Sequence, residues 1–152
     1  MNPAAIAAQL DETLETAGPR LAAINEEAAG TRPGPHQWSK KEILGHLIDS
    51  AANNHQRFVR LQIEDSLVLP SYQQNEWVHA QNYGGRDWQD LINLWLAYNR
   101  HLAHVMRHSS LNALRHTWMA PGGEHDLEFL MGDYLRHLRH HLAQILGASA
   151  VA

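Results

Sequence analysis

Apolar residues recur every three to four positions in four long segments of this chain, and Pro/Gly clusters separate those segments. A stripe with that period is buried only as one face of a helix packed on other helices. In the first segment the stripe is Ile6, Leu10, Leu14, Leu21 and Ile24. Gly18-Pro19 interrupts it, and because proline lacks an N–H the pair predicts a kink or a second short helix starting there. Residues 29–36 hold two prolines and two glycines and read as loop. Ser39-Lys40-Lys41-Glu42 is a capping box, in which Ser39 takes the N3 amide and Glu42 reaches back to the cap. The stripe after it is Ile43, Leu44, Leu47, Ile48, Ala51, Phe58 and Val59, running to about Asp65.

A long connection follows, with a short helical piece over 76–82 and a close at Gly84-Gly85. The third helix starts at Arg86 or Asp87 and buries Trp88, Leu91, Ile92, Trp95, Leu102 and Met106. The fourth runs from about Asp126 to Leu146, where Gly147 ends it. Its stripe is Leu127, Leu130, Met131, Tyr134, Leu138, His141 and Ile145. No strand-like alternation is visible. The expectation is an all-α four-helix bundle, one domain over 1–152, with long inter-helix loops of the kind that form lids or pocket walls.

Composition narrows the function. The chain has 152 residues, 12 histidines and no cysteine. Without cysteine there is no disulfide, no thiolate zinc site and no cysteine nucleophile. A formal charge of −4 argues against a nucleic-acid binder. No basic segment precedes the Ala-rich opening, and no apolar run approaches the roughly 18 residues of a membrane span. A soluble, cytoplasmic protein with a small-molecule substrate is expected, bound to neither membrane nor nucleic acid.

The histidines sort by helix face. His137 and His141 are one turn apart on the fourth helix, His141 inside its apolar stripe and His137 about 40° away at its edge. Such a pair can chelate one metal ion or can be two hydrogen-bonded histidines at a core edge. His104 and His108 share the spacing but lie opposite the Trp88/Trp95 stripe, on a solvated face with His101; His140 also points outward. His46 flanks the apolar face of the second helix beside Gly45, with Asp49, Ser50 and Asn54 downstream. That polar strip reads either as a cavity wall or as ordinary helix surface. Asn99 sits within the apolar stripe of the third helix, so it needs either a polar cavity or one bond to a neighbouring helix. A carboxylate-bridged di-iron site is rejected, because the one Glu-x-x-His, Glu76 and His79, falls in the connection and the core-facing stripes carry no glutamate.

Two blocks, WSKKEILGHLIDSAANNHQRF from Trp38 to Phe58 and DYLRHLRHHLAQI from Asp133 to Ile145, together with LPSYQQNEWV from Leu69 to Val78, resemble the DinB/YfiT-like superfamily of metalloenzymes. The resemblance implies an up-down-down-up bundle and a divalent ion, zinc or nickel, on three histidines. Position by position these are His46, His137 and His141. It also implies homodimers, and five tryptophans in so small a domain suggest an aromatic face for one. Characterised relatives include thiol-dependent transferases and isomerases, so a low-molecular-weight thiol is a candidate cofactor. Three neutral imidazoles leave the charge of the ion uncompensated and a coordination position open, which suits catalysis. Asp49, Asn54, Asn99 and Tyr134 are the candidates to orient the imidazoles, and Ser50 joins them as a candidate pocket residue. The expected function is a metal-dependent thiol S-transferase or hydrolase, with the connection Leu69–Gly85 closing over the substrate. The alternatives are a metal-dependent module that binds or senses a small ligand, and a silent bundle whose histidines switch with pH.

Overall fold

The computed structural model describes residues 2–148. Its elements in chain order are α1 (Pro3–Ala22), α2 (Glu26–Gly30), α3 (Lys40–Arg60), β1 (Ser66–Leu67), α4 (Gln74–Ala80), α5 (Trp88–Arg107), β2 (Thr117–Ala120), β3 (Gly123–Asp126) and α6 (Leu127–Leu146). Short 3₁₀ turns cover Tyr83–Gly85 and Leu111–Arg115. The four long helices form a bundle in which α1 and α3 each pack against both α5 and α6. In cross-section the order is therefore α1, α5, α3, α6. No helix among the described residues is long and apolar enough to cross a membrane.

Local chemistry sets the helix ends. Asn2, Asn25, Asp87 and Asp126 each accept an amide of the first turn of α1, α2, α5 and α6. Ser39 and Glu42 form the reciprocal capping box of α3. Glu42 also takes Arg32 bidentately, with both bonds at 2.8 Å. Gly147 closes α6 at φ 93°.

Three expectations change. Gly18-Pro19 starts no new helix, since α1 runs on to Ala22. Pro19 lies in the last turn, so only one bond is forfeited and the helix continues past it. Part of the loop read over 29–36 is helical, because Asn25 caps α2 and Ala29 is fully buried. The long α3 stops at Arg60 instead of Asp65.

Strands also exist. β2 pairs with β3 as a hairpin around Pro121-Gly122 and with β1 in parallel. At two to four residues each they are too short to show alternation in sequence. The hairpin fills the connection before α6, and the Trp118 indole donates to the Leu69 carbonyl at 2.7 Å. The tryptophans go inward: Trp88, Trp95 and Trp118 are buried, Trp38 packs against the core, and Trp77 is 38% exposed.

Candidate metal centre

His46 stands in the second turn of α3 and is completely buried. Its neighbour Gly45 makes the site possible. A Cβ there would lie 2.2 Å from the Tyr83 ring, so only glycine lets that ring close over the helix. The Tyr83 hydroxyl then donates to Asp49 at 2.6 Å, and Gln81 donates to the same oxygen at 2.8 Å. Asp49 thus ties α3 to the turn before α5, and burial raises its pKa against those two bonds.

From α6, His137 and His141 point at His46. Ring centroids are 5.0 Å apart for His46 and His137, 4.7 Å for His46 and His141, and 4.5 Å for His137 and His141. The three rings stand nearly perpendicular to one another, at 73° to 79°. One ring nitrogen from each lies within 4.8 Å of the others, and this is the one histidine or carboxylate group of metal-binding geometry among the described residues. The Nε2 atoms of His46 and His137 are 3.2 Å apart. Two nitrogens on one tetrahedral zinc sit about 3.3 Å apart, so this pair has the right separation.

Electrostatics prepare the same chemistry. Burial, then the neighbouring histidines, push the His46 pKa down to about 3. Burial and His141 push His137 down to about 4, and His141 is lowered chiefly by burial. At neutral pH the rings are uncharged, so no positive charge repels an incoming cation. The Nδ1–H of His141 donates to the Gln144 amide oxygen at 2.8 Å, which leaves its Nε2 as the lone-pair donor. His46 Nδ1 has no partner.

His137 also lines a cavity of about 260 Å³ with Ser50, Asn54, Arg57, Tyr72 and Tyr134. Ser50 and Asn54 therefore face a cavity wall, and Asn54 donates to the Ser50 carbonyl at 2.9 Å. Tyr72, from the connection after β1, is pushed up to about 12 by burial, and Ser50 hydrogen-bonds it. Asn99 is not on that wall. It donates to the Trp95 carbonyl at 2.9 Å and accepts the Tyr134 hydroxyl at 2.5 Å, which joins α5 to α6. The polar group inside the apolar stripe is thus answered by a neighbouring helix. Asp49, Asn54, Asn99 and Tyr134 bond to Tyr83 and Gln81, to Ser50 and Arg57, to Trp95, and to one another rather than to the three imidazoles; the orienting side chain is Gln144, three residues after His141 and so on the same helix face. Glu76 and His79 are exposed on α4 and outside the histidine cluster. His101, His104, His108 and His140 are exposed, as their helix faces predict.

Sequence reasoning missed Arg57 and Tyr72. Arg57 was legible in part, since His46, Ser50, Asn54 and Arg57 are spaced four, four and three along one face of α3. Tyr72 lies in irregular chain, where no period places it.

The family model of the DinB superfamily matches residues 9–145. The chain belongs to the DinB superfamily. Another protein, from Oceanobacillus iheyensis, is 25% identical over 123 residues, covering 80% of this chain and 71% of its own, and bears the name "Putative metal-dependent hydrolase OB0782". The solved structure of YfiT from Bacillus subtilis, described as a probable metal-dependent hydrolase with an unusual four-helix bundle topology, superposes with a TM-score of 0.85. It covers 97% of this chain and 85% of its own at 19% identity, a likeness of fold. In this DinB-superfamily chain the bundle places its three clustered histidines on α3 and α6, which pack directly against each other.

Proposed function

We propose that this DinB-superfamily chain is a metal-dependent hydrolase whose divalent ion is held by His46, His137 and His141. The observation that carries the reading is the convergence of three uncharged imidazoles from two helices, one of which, His137, lines a cavity. Names given to the two relatives point the same way. An all-imidazole donor set suits zinc or nickel and leaves at least one position for substrate or water. When bound, such an ion supplies Lewis acidity, bringing the pKa of a water toward about 7 and removing the proton of a thiol.

The chain's own residues do the rest. Gln144 holds the His141 ring in the tautomer that presents Nε2. Burial keeps His46 and His137 unprotonated, so donor nitrogens are available across the neutral range. Ser50, Asn54 and Tyr72 present hydroxyl and amide groups to a substrate in the cavity beside His137. Asp133 shares that wall, but Arg136 engages its carboxylate.

Transfer of an external thiol is the second reading. What favours it is that no carboxylate joins the histidine group, so the group offers a water no base for its remaining proton transfers, whereas a thiol on the ion would lose its single proton outright.

Metal analysis and turnover test both readings. Untagged protein should carry about one zinc or nickel ion per chain by mass spectrometry, lost in His46→Ala, His137→Ala and His141→Ala. Protein that takes up neither ion on titration refutes both. Hydrolysis of an ester and amide panel without added thiol supports the hydrolase; turnover of alkyl and epoxide electrophiles only with a thiol supports the transferase.

A further inference from the structure

Arg57 is the buried arginine of this chain, 7% exposed, and it lacks a counter-ion. Arg32, Arg107, Arg115 and Arg136 all pair with carboxylates, and all of them are more exposed. Arg57 has none among the described residues. Its Nη1 donates to the Asn54 amide oxygen at 3.3 Å, and its Nε has no partner. Its Cζ lies 3.8 Å from the centroid of the Trp118 ring, where the π face stabilises the cation without neutralising it. A guanidinium stays protonated under these conditions, with five donors in a planar fork, and a buried charge without a partner is strongly unfavourable. The same side chain lines the cavity that His137 enters.

We propose that Arg57 binds an oxyanion of the substrate, a carboxylate or a phosphate, in the cavity beside His137. This rests on the reading above that the cavity holds the substrate. The fork geometry matches both groups bidentately. Trp118 beneath the guanidinium and Asn54 at its side fix the plane of the fork before a ligand arrives. The ligand supplies the missing countercharge, so an acid is selected over its neutral isostere. At about 260 Å³ the cavity admits a small molecule or the charged end of a longer one. The substrate is then an anionic small molecule whose reactive bond lies toward the histidines and whose charge lies toward Arg57.

The test uses full-length protein stripped of metal, so that an anion cannot bind to the ion instead. Calorimetric titration compares propionate, inorganic phosphate and neutral propionamide. Propionate or phosphate should bind roughly ten- to a hundredfold more tightly than propionamide. Whichever of the two binds tighter names the oxyanion. R57Q should erase the preference and leave metal uptake intact, while R57K should keep part of it. A wild-type protein without preference for the anions overturns the proposal, even if R57Q fails to fold. So does an R57Q protein that folds and keeps the preference. Protein that binds no metal but prefers the anions refutes the hydrolase and leaves the oxyanion site standing; the reverse pattern refutes the oxyanion site alone.

Discussion

Helices α5 and α6 each carry two histidines one turn apart, with similar ring separations and opposite consequences. His104 and His108 sit 4.3 Å apart in tilted contact, both exposed, and His108 Nδ1 bonds back to the His104 carbonyl of its own helix. His137 and His141 sit 4.5 Å apart, half-buried, with the fully buried His46 facing them from α3. Spacing is the same in the two pairs. What differs is the third imidazole and the dehydration that keeps the α6 rings neutral. A His-x-x-x-His pair gains metal-binding geometry when another element closes on it.

The comparison breaks most sharply at the three clustered histidines. His137→Ala or His46→Ala should weaken zinc or nickel binding by more than about a hundredfold, since removing a mere orienting partner already costs 10–100-fold. His104→Ala should leave it unchanged; equal losses from both helices, measured by competition with a chromophoric chelator, would show that the pairs are equivalent. Next comes the glycine that makes room for the third histidine. Gly45→Ala should lose about 1–3 kcal/mol of unfolding free energy in urea, because the new Cβ meets the Tyr83 ring at 2.2 Å. Metal binding should fall with it if displacement of that ring shifts the α3 turn bearing His46.

Gln144→Ala should weaken metal binding about tenfold, because His141 loses the acceptor that fixes its tautomer. The α5 pair offers no equivalent, since His108 uses a backbone carbonyl. Acid on the metal-free protein gives the last comparison. His46 and His137 have pKa values of about 3 and about 4 against 6.5 for the free side chain. Below 6.5 the unfolded chain binds protons that the folded chain refuses, so stability is full above that pH and declines as pH falls toward 4 and then 3. Urea midpoints across that window should show it, with a shallower decline in His137→Ala and an unaltered one in His104→Ala.

Much of this was legible in the residues because it is local. Capping by Ser39 and Glu42, the stop at Gly147 and the stripes of the four long helices depend on neighbours within a few positions, and the structure reproduces them. The passage of α1 through Pro19 was not legible, because a proline in the last turn forfeits a single bond, which the packing of α1 on α5 outweighs. The same holds for β1, β2 and β3, whose few residues pair across the chain. Asn99 stood out as a polar residue in an apolar stripe, but its partner, Tyr134, is set by the packing of α5 on α6.

By itself, the sequence determined the helical segments, the face on which each histidine lies and the absence of any protein thiol. Those properties follow from composition and from a period of 3.6 residues, which any single helix expresses. Only the tertiary structure decided which histidine pair gains a third ring and which arginine is buried without a carboxylate. Both depend on partners distant in the chain and on exclusion of water, and these arise only when α3 packs against α6 and the β2–β3 hairpin brings Trp118 under Arg57.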